Sequence, residues 1–342
     1  MTINAAYYCG NKTFAVEQID APAPGRGEVQ IDIAYCGICG TDLHVYLGHM
    51  DARIGNHRVI GHEMSGRVAA LGDGVSGFEV GQKVVVRPLD HCGDCPACNA
   101  GHQHICHKLK FLGLDTDGAF QQKWSVPAHT LHALPDDMSL DHAALVEPMA
   151  VATHDVRRAQ VQPGEDVLVI GGGPIGMLVA VAARQAGAKV MISEVNEHRL
   201  ALATEMGFDV VNPKTVDAAE AVTAATDGKG ADVVFEVSGT QPGVDLMTAA
   251  AATRGRICMV AIHASKPQID LFQFFWRELE MIGARVYEPS DYDQAIEWLS
   301  GGIGAERLIT NVTSLGDIQS AFEDLTQVPT SMKTLIRVNE DV

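Results

Sequence analysis

Cys92, Cys95, Cys98 and Cys106 follow one another with the spacing C-x2-C-x2-C-x7-C. Thiolates are soft ligands, and four of them from one loop can close a tetrahedral zinc site with no open position. Such a site has no room for a substrate, so its role is structural. An iron–sulfur cluster is the competing occupant of clustered cysteines. Left without metal, four thiols so close together would oxidise readily.

A second set of metal-binding types is scattered more widely. Cys39 lies in Gly37-Ile-Cys-Gly-Thr-Asp-Leu-His44, His62 and Glu63 lie in Gly61-His-Glu, and Glu147 opens Glu147-Pro-Met-Ala-Val-Ala-Thr-His154. Taken singly, a cysteine is more often a small buried residue, and a histidine or glutamate an ordinary structural one. Together they supply one thiolate, one imidazole and two carboxylates. A catalytic zinc needs about three protein ligands and an open position, which this set provides with either Glu63 or Glu147 as the carboxylate.

The third feature is Gly171-Gly-Gly173-Pro174-Ile175-Gly176, a G-x-G-x-x-G turn. The pattern alone is weak. Here it follows the apolar run Asp166-Val-Leu-Val-Ile and opens a helical stretch from Ile175 to Ala186, the context that a dinucleotide-binding turn requires. Gly171 permits the tight turn, Gly173 lets the backbone approach a pyrophosphate, and Gly176 lets helix and strand pack closely. The helix N-terminus presents free N–H groups to the phosphates. Glu194 ends the next strand, 18 positions after Gly176. A carboxylate there can accept hydrogen bonds from ribose hydroxyls and repels a 2′-phosphate, which favours NAD over NADP. Arg199 nearby weakens that preference slightly.

The elements that must hold these residues divide in two. The first ~150 residues, rich in Gly and Pro, read as short strands and turns; Glu28-Val-Gln-Ile-Asp-Ile alternates with period two. They suggest a small β-barrel. From Glu147 onward, apolar runs at Asp166, Lys189, Asp209, Ala231 and Arg256 alternate with helical stretches, as βαβ units of a parallel sheet do. After Gly283 the chain returns to mixed character, with helical stretches at 291–299 and 315–325 and a closing strand at Thr334-Leu-Ile-Arg-Val. A chain of 342 residues exceeds one ordinary domain. Its net charge of −18 argues against nucleic acid or an anionic membrane as partner. It contains no run near the ~20 apolar residues of a membrane span, and its first twenty residues carry no apolar signal core, so the expectation is a cytoplasmic protein. Without export, clustered cysteines point to metal rather than to disulfides.

With these motifs in this order, the chain resembles the zinc-containing medium-chain dehydrogenases, close to the sorbitol, L-idonate 5- and butanediol dehydrogenase branch. The resemblance implies a mixed α/β fold: a GroES-like β-barrel catalytic domain, residues 1–148 and 283–342, with a doubly wound Rossmann domain, 149–282, inserted between. It implies two zinc ions per chain and NAD as cofactors. Cys39 and His62 would ligate the catalytic zinc, with Glu147 where the classical alcohol dehydrogenases carry cysteine; Glu63 would be a direct ligand or an exchanging neighbour. Thr41 would contact the reacting oxygen and pass its proton toward the cofactor ribose and His44. His154 would pack the domain interface, and Arg285 and Tyr287 would hydrogen-bond a hydroxylated substrate. The implied reaction is oxidation of a secondary alcohol of a polyol or sugar acid to a ketone, by a homodimer or homotetramer. Alternatives are a threonine or 2,3-butanediol dehydrogenase and a non-catalytic nucleotide-binding relative. Leu89 stands where threonine dehydrogenases place a histidine, which argues against threonine.

Overall fold

A computed structural model describes residues 2–327 and 330–342. The chain forms two compact units, one of Met1–Glu147 with Glu288–Val342 and one of Pro148–Tyr287.

The first unit is built mainly of antiparallel strands. The long strand Glu28–Gly37 lies at its centre, paired with Glu63–Leu71 on one side and with the C-terminal strand Lys333–Arg337 on the other. A second sheet joins Thr2–Tyr8 to Phe14–Asp20 and Arg58–Val59. The alternation read at Glu28–Ile33 is only partly kept. Val29, Gln30 and Ile31 are all buried, because the strand packs apolar residues on one face while Gln30 donates to the Pro22 carbonyl on the other. Ile31, Ile33, Met64, Phe120 and Phe322 form the middle of the core. In the register of these strands, Gly37 lies opposite both Glu63 and Leu335. The ends of three strands therefore meet where the chemistry-bearing residues begin. The helical stretch read at 315–325 starts as a 3-10 turn, Leu315–Asp317, and becomes an α-helix only at Ile318–Gln327.

The second unit is a six-stranded parallel sheet. Its spatial order is Asp209–Val211, Lys189–Ser193, Asp166–Ile170, Ala231–Glu236, Ala251–Met259 and Glu280–Gly283. Val167 to Ile170 are all buried, as expected of an inner parallel strand covered on both faces. Leu168, Val234 and Ile257 pack against Val244 and Met247 of the helix Gln241–Ala250. Strand order reverses between Asp166–Ile170 and Ala231–Glu236, the topological switch point where open α/β sheets bind ligands.

Candidate active site and metal centres

The cysteine quartet converges. Its four sulfurs lie within 4.8 Å of one another, and among the described residues it is the one group of three or more metal-ligating side chains that does so. Cys92–Cys106, Cys95–Cys98 and Cys95–Cys106 are 3.4, 3.5 and 3.8 Å apart. A zinc with ~2.3 Å bonds to sulfur at tetrahedral angles separates its ligands by about 3.8 Å. The loop is thus shaped to hold one such ion, and sulfurs this close leave no room for a multi-iron cluster. The backbone prepares the site: Cys95 Sγ accepts the His107 N–H, and Cys106 Sγ accepts those of Cys92 and Lys108. The N–H groups of Cys98 and His107 bring the Cys95 thiol down to about 6. Asp94 beside Cys92 pushes that thiol up to about 12, a proton that a bound metal would displace.

The second set is more loosely drawn. Cys39 caps the N-terminus of the helix Gly40–Tyr46, its sulfur accepting the Thr41 N–H at 3.4 Å. Asp42 completes the cap by accepting the Cys39 N–H at 3.0 Å through Oδ2. Its other oxygen, Oδ1, stands 3.5 Å from His62 Nδ1. Both atoms are buried and neither makes a hydrogen bond as placed. Burial alone would lower the His62 pKa, but Asp42 and Cys39 beside the ring raise it well above the ordinary histidine range. A soft sulfur next to an imidazole backed by a carboxylate is the donor arrangement that suits a zinc ion: a metal would take one ring nitrogen while the carboxylate fixes the other. Phe111 packs edge-on against His62 at 5.1 Å and holds the ring plane.

The two carboxylates are not equivalent. Glu63 is fully buried, and Lys333 Nζ contacts both its oxygens, at 2.8 and 2.5 Å. Gly37 makes room for it, since a Cβ there would come within 2.3 Å of Glu63 Oε2. Lys333 also donates to the Ile38 carbonyl at 3.3 Å. Burial would lower the lysine pKa, but Glu63, Cys39 and Glu147 raise it, so its charge is retained. Glu147, 6% exposed, lies in the first turn of the helix Val146–Arg158. The structure therefore gathers Glu63, Cys39 and Glu147 around one buried cation, with His62 beside Cys39. It engages Glu63 with Lys333 rather than leaving it free toward a metal. Thr41 is half-buried in the first helical turn; His44 is exposed one turn on, its Nδ1 3.2 Å from that of His49. His154 and Tyr287 are buried, whereas Arg285 is exposed.

In the second unit Gly171 adopts φ +104°, and a Cβ on Gly176 would fall 1.8 Å from the Gly171 carbonyl oxygen. Gly173 caps the helix Pro174–Gln185, with Pro174 at its first position and Ile175 next. Glu194 is 6% exposed and accepts the N–H groups of Gly172 at 2.8 Å, Val195 at 2.6 Å and Asn196 at 2.8 Å. It thereby ties its own strand end to the glycine turn. Arg199 stands 3.6 Å from Glu194, and its guanidinium reaches over Gly173.

Sequence reading missed Asp42, Lys333 and the contact of Glu236 with His263. Lys333 had a signal, a lysine in the apolar run Met332-Lys-Thr-Leu-Ile, where a buried charge needs a partner. Asp42 had none beyond its place three residues after Cys39.

Cys39 beside His62 among mainly antiparallel strands, and a dinucleotide turn in a parallel sheet, are the features of a metal-dependent dehydrogenase. Residues 25–136 match the alcohol dehydrogenase GroES-like domain and residues 174–301 match the zinc-binding dehydrogenase domain. The chain is 54% identical to 2-dehydro-3-deoxy-L-galactonate 5-dehydrogenase of Pseudoalteromonas atlantica, over 98% of this chain and 99% of that protein. It is 33% identical to sorbitol dehydrogenase of Halalkalibacterium halodurans over 92% of each. The crystal structure of 2R,3R-butanediol dehydrogenase from Bacillus subtilis superposes with a TM-score of 0.91 at 31% identity, covering 98% of this chain and 100% of that one. The chain belongs to the zinc-dependent medium-chain alcohol dehydrogenases, polyol branch, with a GroES-like and a Rossmann domain. It is an NAD-linked oxidoreductase acting on CH–OH groups. No helix among the described residues is long and apolar enough to cross a membrane.

Proposed function

We propose that this enzyme oxidises a secondary hydroxyl of a sugar acid to a ketone, with sugar alcohols as poorer substrates. The observation that carries the substrate class is the 54% identity, end to end, to a sugar-acid 5-dehydrogenase. In this reading Cys39 and His62 hold the catalytic zinc, Glu147 supplies the third side chain, and Asp42 fixes the imidazole through Nδ1. Bound there, zinc supplies a Lewis acid that eases ionisation of the substrate hydroxyl. NAD held at the glycine turn would supply the hydride acceptor. Lys333 keeps Glu63 paired and so leaves a coordination position for substrate. The Thr41 hydroxyl relays the substrate proton, giving up its own toward His44 as it accepts the new one. His44, three residues on and on the same helix face, passes it to His49 and solvent.

All eight cysteines are free, which supports work in a reducing compartment such as the cytoplasm. The partner is a second copy of this chain. The strand Glu280–Gly283 ends the parallel sheet, so its outer backbone edge is open. Beside it in sequence, the helix Leu271–Arg277 exposes Leu271, Phe272, Phe275 and Trp276 by 61–77%, with Phe272 stacked on Trp276 at 5.9 Å. An edge strand paired antiparallel with its own copy about a twofold axis is self-complementary and covers such aromatics.

The test is NADH formation across hydroxylated sugar acids, sorbitol, 2,3-butanediol and threonine. A kcat/KM at least tenfold higher for a sugar acid than for threonine or butanediol is expected. Preference for either of the latter would overturn the reading.

A further inference from the structure

Glu236 is a fully buried carboxylate that none of the chemistry above uses. It ends the strand just across the switch point from the glycine turn. Its Oε1 accepts the Ser238 N–H at 3.0 Å, the Ser238 hydroxyl at 2.5 Å and the Gly239 N–H at 3.0 Å. Its Oε2 accepts the Gly239 N–H at 3.3 Å and stands 3.1 Å from His263 Nε2, a buried nitrogen that makes no hydrogen bond in this geometry. Its backbone carbonyl accepts the N–H groups of Val260 and Ala261, both at 3.0 Å. One residue thus ties together the loops that come after two neighbouring strands. The first of these loops also touches the glycine turn, because a Cβ on Gly171 would stand 3.1 Å from Ser238 N. Gly243 permits the arrangement: a Cβ there would lie 2.2 Å from Ser238 Oγ and 2.7 Å from Glu236 Oε1.

The place of these loops fixes what they serve. A dinucleotide lies across the carboxyl ends of a doubly wound sheet with its pyrophosphate at the glycine turn. Its adenosine half runs toward Glu194, on the Lys189–Ser193 side. The other half must cross the switch point onto the ends of Ala231–Glu236 and Ala251–Met259, which are the loops that Glu236 and His263 join. A buried carboxylate is costly without a compensating partner, and His263 is the titratable side chain facing this one.

We propose that Glu236 and His263 form a latch that holds the loops 237–240 and 260–263 in the conformation that receives the nicotinamide half of the dinucleotide. Both are positioning residues acting through those loops. The inference rests on the NAD-linked reading, and the two can fail separately.

The experiment titrates NADH and, separately, ADP against the wild-type protein and His263→Ala, His263→Gln and Glu236→Gln. NADH binding is read by fluorescence and ADP by calorimetry. The latch predicts that His263→Ala weakens NADH about tenfold, which corresponds to ~1.4 kcal/mol, while ADP stays within about twofold. His263→Gln, which keeps a donor, restores most of the loss, and Glu236→Gln falls between. In turnover the KM for NAD rises more than kcat falls. Equal weakening of NADH and ADP would mean general loosening and would overturn the latch, as would unchanged NADH affinity. Failure of the wild-type protein to bind NADH would instead overturn the coenzyme reading. Should His263→Ala not fold, the Gln variants carry the same comparison.

Discussion

Replacing Lys333 by Met removes the cation from a carboxylate that has no route to water. Glu63 and Lys333 are each almost wholly buried, and the ammonium contacts both carboxylate oxygens. Breaking such a pair from one side costs about 3–5 kcal/mol, because the remaining charge is desolvated and uncompensated. For a unit of roughly 200 residues, each kcal/mol moves Tm by about 2–4 °C, so the fall should be about 6–20 °C. Removing both charges in Lys333→Met with Glu63→Gln should recover much of it, since a buried pair replaced by neutral groups often breaks even. The assay is a double-mutant cycle by thermal and urea unfolding, expected to give a coupling of at least ~2 kcal/mol. The pH dependence has a definite sign. The folded-state pKa of Lys333 is raised, so its contribution is complete below the unfolded lysine value near ~10.4 and is lost only as pH rises through the folded value. Between pH 7 and 9 the penalty of the single variant should therefore be flat with respect to Lys333. A loss below ~1 kcal/mol, or no coupling, would refute the account of this pair.

Cys95→Ser should lose the quartet metal and loosen the loop 92–106, while the metal held through Cys39 and His62 is retained; elemental analysis with limited proteolysis reads both, and unchanged metal content would contradict the assignment. Glu194→Gln should narrow the preference for NAD over NADP by about tenfold or more in kcat/KM, because the repelling charge is gone; an unmoved ratio, or comparable use of NADP by the wild-type enzyme, would remove Glu194 from coenzyme choice. Phe275→Glu with Trp276→Glu should convert the oligomer to a monomer by light scattering, and an oligomer that survives would place the interface elsewhere.

What the sequence made legible was local. The quartet sits in one loop, and the glycine turn with its strand and helix is continuous in the chain, so spacing alone predicts their geometry. Glu194 was readable because the βαβ unit places it. The catalytic set depends instead on register. Gly37, Glu63 and Leu335 become neighbours only once three strands from distant parts of the chain pair, which brings Lys333 onto Glu63. No sequence spacing encodes that contact, so the choice between Glu63 and Glu147 stayed open there. The pairing of Glu63 with Lys333 is what supports proposing Glu147 for that place. Asp42 was hidden because nothing in the spacing places its carboxylate beside the His62 ring. The latch at Glu236 and His263 was hidden because its strands meet only in the sheet.

The central claim is that Cys39 and His62 hold a catalytic zinc separate from the quartet, with Glu147 rather than Glu63 completing the side-chain set. The most direct measurement is zinc content alongside turnover in the wild type, Cys39→Ser and Glu147→Ala. Both zinc ions should be present in the wild type. Cys39→Ser should keep only the quartet ion and lose nearly all turnover, and Glu147→Ala should bind the catalytic ion far more weakly. Full activity with both ions in Cys39→Ser would contradict the site, and an unchanged metal content in Glu147→Ala would return the third position to Glu63.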